Sequence, residues 1–221
     1  SLNLENIPSV LGNLKNLKTL SIYGPKLRAI PDSIGNLSNL ENLSLSLYSA
    51  ETLPEEIGNL SNLKVLWLKL PDSGKLPKGL ERLHEIEVLT LRGSDIETLP
   101  RFIEQSSKLR SLSLGWCNQL KNIKTIGKCQ DLDSLSVSQC KGIHLPDEIG
   151  NLAKLRYLDI GGNVIELIPE SVGKLSKLEY LDLSLNEIIY LPESMGSLNK
   201  LEELDVTCNW EVVLPKSLKD L

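Results

Sequence analysis

The sequence predicts a right-handed α/β solenoid, in which repeated units stack with short parallel strands on one side and short helices or turns on the other. Three observations predict it: prolines recur every 23 residues, leucines recur at the same interval, and each unit contains a segment of alternating leucines. The prolines are Pro8, Pro31, Pro54, Pro77, Pro100, Pro146, Pro169, Pro192 and Pro215, and Ile123 holds the one vacant place. A fixed period of about 20–50 residues indicates a repeat architecture.

Nine units follow one another at a spacing of 23 residues without insertion or deletion. They start at Leu17, Leu40, Leu63, Ile86, Leu109, Leu132, Leu155, Leu178 and Leu201, after a partial unit over residues 1–16. Unit positions are counted here from these nine residues. We interpret residues 1–221 as a single repeat domain and expect it to be a fragment of a longer chain.

The consensus of the units is LxxLxLxxNxIxxLPxxIGxLxx, and residues 178–200, LEYLDLSLNEIIYLPESMGSLNK, follow it most closely. Alternation at period two predicts a short strand. One such strand cannot bury its apolar side alone, so stacking is needed to bury leucines such as Leu181 and Leu183. The proline suits the first position of a helical turn. A narrow strand opposite a wider turn predicts a curved parallel sheet on the concave face.

This pattern resembles that of the leucine-rich repeat proteins over essentially the whole chain. The LPxxIGxL ending is similar to that of plant intracellular Ras-group-related repeats, plant immune receptors and several bacterial effectors. The resemblance implies that an Asn at unit position nine ties each turn to its neighbours, and Asn163, Asn186 and Asn209 supply it in the last three units. Because Cys117 and Cys140 replace it in the two preceding units, and other residues do so earlier, we predict a less regular ladder in the N-terminal half.

Charge and composition exclude several functions. The net charge of −5 opposes a nucleic-acid partner and an anionic membrane, since both require clustered Lys and Arg. The chain has no apolar run of about 18 residues that would span a membrane. Its four cysteines form no CxxC pair, and three of them occupy positions that the repeat assigns to the ladder or the core, so we expect no metal and no cofactor. Nor does any nucleophile stand with a suitable base, so we expect no enzyme.

The most informative residue for partner binding is Trp67. It lies at unit position five between two core leucines, so it faces out of the sheet, where its counterparts are small or polar. The predicted central patch contains Val65, Trp67, Lys69, Leu70, Val88, Arg92 and Trp116. The alternative is that aromatic residues simply favour strands and pack on their neighbours.

A second predicted patch lies towards the C-terminus and contains Tyr157, Asp159, Tyr180, Asp182 and Asp205. The three aspartates form a row of like charges, which a cationic partner would relieve. The alternative is that they have no special role, because Asp is common at this position in the family that the chain resembles.

We therefore predict a noncatalytic module, monomeric, that binds a polypeptide through its concave face. The alternatives are the substrate-recognition domain of a bacterial effector ubiquitin ligase and the ligand-sensing region of a plant-type immune receptor. In both, the catalytic or nucleotide-binding domain would lie outside this sequence. The lack of a disulfide-knotted cap favours a cytoplasmic location, which for an effector would be the host cytoplasm.

Charges at unit position two alternate in sign from Lys18 to Glu179. Adjacent parallel strands would place these side chains beside one another, so the alternation predicts a row of cross-strand ion pairs.

Overall fold

The computed structural model describes residues 5–50 and 52–220. It contains one parallel sheet of nine strands, arranged in chain order. The strands are β1 Thr19–Gly24, β2 Asn42–Leu47, β3 Val65–Lys69, β4 Val88–Arg92, β5 Ser111–Gly115, β6 Ser134–Ser138, β7 Tyr157–Asp159, β8 Tyr180–Asp182 and β9 Glu203–Asp205. The predicted right-handed solenoid is confirmed, with the handedness that parallel strand crossovers favour.

Neighbouring strands pair residues whose numbers differ by 23. Leu43 lies beside Leu66, for example, and Trp67 beside Thr90. Since the register never slips, the leucines of unit positions four and six form two continuous buried rows, of which Leu181 and Leu183 are members. The core is therefore a column of aliphatic side chains that runs the length of the solenoid.

Short 3₁₀ turns, each spanning five residues, lie opposite the sheet. They cover Ser9–Asn13, Asp32–Asn36, Glu55–Asn59, Lys78–Arg82, Lys124–Lys128, Asp147–Asn151, Glu170–Lys174, Glu193–Ser197 and Lys216–Asp220. One short α-helix, α1, covers Arg101–Gln105. Pro54 precedes its turn with an extended ψ of 145°, and Ile123 starts one without proline at a ψ of 28°.

The asparagine ladder divides the sheet into two parts. Asn186 Oδ1 accepts a hydrogen bond from the Ile165 amide at 3.1 Å, and its Nδ2 donates to the carbonyls of Ile160 at 2.9 Å and Leu183 at 3.0 Å. Strands in these C-terminal units have three residues, whereas β1 to β6 have five or six. Backbone pairing continues in the N-terminal half up to Gly24 and Leu47, where the asparagine amides are absent, and the expected lower regularity of that half stays a prediction.

The cysteines occupy the structural positions that the repeat assigns them. Cys117, Cys129 and Cys140 are buried, and Cys208 is exposed. The Cys117 thiol donates to the Gly93 carbonyl at 3.2 Å, a weaker substitute for the asparagine amide.

The alternating charges pair in only part of the predicted row. Glu41 contacts both Lys18 at 3.1 Å and Lys64 at 3.5 Å, and Arg156 contacts Glu179 at 2.6 Å. Glu87 forms no such pair within the described part of the chain, so the row is interrupted at its middle. Among the described helices, none is both long and apolar enough to cross a membrane.

Candidate functional site

The solvent-facing side of the nine strands, called the sheet face below, carries the candidate site. At unit position seven the register places Lys69 beside Arg92, and Arg92 beside Gly115. Together with three aromatic residues they form what we call the aromatic–cation cluster. Its members are Tyr23, Tyr48, Lys69, Arg92 and Trp116.

The cluster is continuous. The rings of Tyr23 and Tyr48 meet edge to face, with centroids 5.9 Å apart. Lys69 Nζ lies 4.5 Å from the Tyr48 centroid and 5.6 Å from that of Trp116. Arg92 Cζ lies 4.8 Å from the Trp116 centroid. Tyr23, Tyr48 and Trp116 remain 67%, 44% and 43% exposed, so solvent reaches all three rings.

A left-handed turn, which recurs at unit position eight in the units from Gly93 to Cys208, positions Trp116. Its φ is +53°, in the left-handed region. Bulky residues rarely adopt this conformation, because it costs about 1–3 kcal/mol. A Cβ at Gly115, just before it, would lie 3.6 Å from Arg92 Cγ, an ordinary contact, so the position of Arg92 does not require glycine there. The indole contacts Arg92 on β4 and approaches Lys69 on β3.

The cluster has a positive local charge in an acidic protein. Hydrogen bonding by the Lys69 ammonium is the main cause that holds the pKa of the Tyr48 hydroxyl below its usual range. Each contact of a cation with an aromatic face contributes about 0.5–1 kcal/mol at an exposed site. The rings therefore hold the two cations in place without neutralising them.

Three residues of the predicted central patch lie on the sheet face next to the aromatic–cation cluster. Their side chains are half-buried and do not form its most exposed point: Trp67, Val65 and Val88. Leu70 requires a correction: it is only 4% exposed and belongs to the core, because it continues the alternation that buries Leu66 and Leu68. It offers no surface to a partner.

Tyr48 was missed by the sequence reasoning, which treated its position only as a substitute for the ladder asparagine. The available signal was its size. A phenol ring cannot occupy the small buried place of an asparagine amide, so an aromatic residue there must turn out to solvent, as the structure shows.

The second predicted patch has a structural role that the sequence reasoning did not anticipate. The carboxylates of Asp159, Asp182 and Asp205 each accept a hydrogen bond from the backbone N–H two residues later, at 2.8–2.9 Å. For Asp205 this bond, from Thr207, is the main cause that lowers the pKa of the carboxyl. The three aspartates therefore stabilise the turns that follow β7 to β9. Repulsion between their like charges does not account for their whole effect on the structure.

Tyr157 and Tyr180 of the same patch stack face to face, with centroids 4.4 Å apart and planes 4° from parallel. Burial in this stack, aided by the nearby Asp159 carboxylate, raises the pKa of Tyr157 to about 12. The neutral phenol is thus favoured by the folded state.

A pH titration tests this stack. A raised folded-state pKa stabilises the fold below the unfolded-state pKa of about 10, and the stabilisation is lost as the pH rises towards 12. We expect the free energy of unfolding of the wild type to fall more steeply across this range than that of Tyr157→Phe. Urea unfolding at several alkaline pH values measures both, and parallel curves would contradict the assignment.

The part of the chain that the structure describes contains no group of three or more His, Cys, Asp and Glu side chains arranged to hold a metal ion.

Comparison with known proteins agrees with the fold. A family model described as a leucine-rich repeat region matches residues 132–221. A search of curated protein sequences finds no match. Among solved structures, internalin C2 of Listeria monocytogenes is 24% identical, with a TM-score of 0.69 over 88% of this chain and 83% of that one. A plant ice-binding protein is 25% identical, with a TM-score of 0.69 over 95% of this chain and 69% of that one.

These two solved structures share one architecture but belong to proteins with different names, so the fold by itself does not determine function. A third solved structure, a leucine-rich repeat protein of Leptospira interrogans, is 30% identical, with a TM-score of 0.57. The match covers 99% of this chain and 68% of that one. By this similarity, together with the repeat register and the family match, the chain belongs to the leucine-rich repeat proteins.

Proposed function

We propose that this chain is a noncatalytic module that binds a polypeptide through its sheet face, with the aromatic–cation cluster at the centre of the contact. The observation that carries the proposal is the exposure of Tyr23, Tyr48 and Trp116 beside two cations. None of the three rings belongs to the aliphatic core. Trp, Tyr and Arg are the residues that dominate binding energy at protein interfaces.

Preorganisation supports the same function. The sheet holds the backbone of Lys69 and Arg92, and the rings of Tyr48 and Trp116 restrict their long side chains. Ordering a flexible side chain at an interface costs about 0.5–1.5 kcal/mol, and here much of that cost is already met in the free protein. Association would therefore lose less of its interaction energy to ordering.

The shape of the surface favours a polypeptide over a small molecule. Small-molecule sites are concave and enclose most of their ligand. The cluster instead spreads over five neighbouring units, from Tyr23 to Trp116, and its rings stand open to solvent. Half-buried Trp67 extends it with apolar surface on β3. An extended segment of a partner protein has the length to contact these groups together.

Substitution of Trp116 tests the proposal. Proteins retained from cell extract by the immobilised wild type are identified, purified and titrated by calorimetry against each variant. Trp116→Ala is expected to weaken binding by about 30-fold, equivalent to about 2 kcal/mol, because an interface anchor is removed.

Trp210→Ala is the matched control, since it removes the same side chain from a position 88% exposed near the other end of the solenoid. Its affinity should equal that of the wild type. Equal affinities of all three proteins for a partner bound directly would contradict the proposed site. Thermal unfolding of each variant verifies that the fold is retained.

A further inference from the structure

We propose that the polypeptide segment that docks on the aromatic–cation cluster is acidic, with one of its carboxylates bound between Lys69 and Arg92 and a neighbouring apolar side chain against Trp67. This inference rests on the proposed function and specifies the chemistry of the partner.

The charges of the two cations are not balanced within the protein. Lys69 and Arg92 are register neighbours on adjacent strands, a placement in which like charges repel. Within residues 5–50 and 52–220, no carboxylate lies within 4.0 Å of either cationic group. Seven other cations do have such partners: Lys18, Lys64, Lys108, Lys121, Lys128, Lys154 and Arg156. An incoming carboxylate would relieve the repulsion that this protein leaves in place.

The geometry of Arg92 favours a carboxylate in particular. Its guanidinium lies over the Trp116 ring, with Cζ 4.8 Å from the centroid. A contact of this kind uses the charge and not the N–H donors of the guanidinium, and the fork of N–H groups matches the two oxygens of a carboxylate. Lys69 Nζ, held 4.5 Å from the Tyr48 ring, supplies a second positive charge beside them.

The surroundings favour a peptide over a polyanion. The protein carries a net charge of −5, so a nucleic acid would be repelled over most of the surface, whereas two cations suffice for one carboxylate. Trp67 lies two residues before Lys69 on β3 and therefore about 6.7 Å along the strand. Side chains two apart on an extended peptide have the same separation, so an acidic residue and an apolar residue can engage both groups together.

The test begins with a library of random short peptides displayed on phage, selected on the wild-type chain. The most enriched peptide is synthesised and its affinity measured by calorimetry. We expect Asp or Glu to be enriched, with an apolar residue close by. Lys69→Met and Arg92→Met should each weaken binding about tenfold or more, equivalent to about 1.4 kcal/mol, as should the change of the peptide's acid to its amide.

Arg101→Met is the matched control, because it removes the same charge from α1 on the opposite side of the solenoid, and it should leave the affinity unchanged. A charge exchange gives a second positive result. Arg92→Glu should lose the acidic peptide and bind the same peptide with Arg in place of its acid.

The remaining outcomes separate this inference from the proposed function. Enriched peptides that depend on Trp116 but carry no acid, or ignore Arg92→Met, would overturn the acidic partner and leave the site intact. Peptides that bind equally to Trp116→Ala would overturn both. Failure to enrich any peptide would overturn the acidic-segment inference, while the Trp116→Ala measurement with a captured protein decides the proposed function independently.

Discussion

Asn186→Ala is expected to lower the free energy of unfolding by about 3 kcal/mol, since it removes a side chain whose whole hydrogen-bonding capacity is used inside the protein. Asn186 is only 4% exposed. Its amide joins the Ile165 N–H of the unit before it to the carbonyls of Ile160 and Leu183. Alanine would leave the Ile165 donor buried without a partner and would open a small cavity.

Equilibrium unfolding in urea measures this loss. Asn62→Ala is the matched control, because Asn62 is an exposed asparagine whose Nδ2 donates to one carbonyl, that of Ser38, at 2.7 Å. Surface substitutions of this kind stay within about 0.5 kcal/mol. Equal stabilities of the two variants would show that the ladder does not hold the C-terminal units together.

A second large loss of stability is expected from a substitution where consecutive turns approach closely. A Cβ added at Gly58 would lie 2.0 Å from the carbonyl oxygen of Gly79 and 2.6 Å from its carbonyl carbon. Both atoms are backbone, so relief requires the turns Glu55–Asn59 and Lys78–Arg82 to separate. Overpacking typically costs about 1–3 kcal/mol, and we expect Gly58→Ala to reach the upper end, about 3 kcal/mol.

Gly142→Ala provides the comparison for this substitution. The nearest atom to an added Cβ there is the Leu120 carbonyl oxygen at 3.6 Å, an ordinary contact. Alanine at such a position is expected to change stability by less than about 1 kcal/mol, in the stabilising direction, because it reduces the freedom of the unfolded chain. Urea midpoints that coincide for the two variants would mean that the turns are not closely packed at Gly58.

The two substitutions act on different parts of each unit. The asparagine amide satisfies backbone groups at the end of a strand, whereas the glycines let adjacent turns approach on the opposite side. Both sets of contacts join neighbouring units, and a solenoid depends on such contacts for its stability.

Much of the fold was predictable because its information is local and repeated. The 23-residue period predicts which residues lie beside one another in the sheet, and the alternation of leucines predicts which side of each strand is buried. The sequence therefore predicts Trp67 on the sheet face, and the register puts it between Ser44 and Thr90. Leu70 was misplaced, since it has the same parity as Leu66 and Leu68 and the alternation therefore already assigns it to the buried side.

By itself, the sequence determined the architecture, the register and the buried set, because each depends on a pattern repeated nine times. Only the tertiary structure decided the composition of the aromatic–cation cluster. Lys69 and Trp116 are 47 residues apart, and their approach depends on the left-handed turn at Trp116, a conformation that recurs at unit position eight from Gly93 to Cys208. The backbone of the turn therefore repeats, whereas the side chains of the cluster stand at different unit positions in different units and meet across several strands, so the repeat does not show which of them come together.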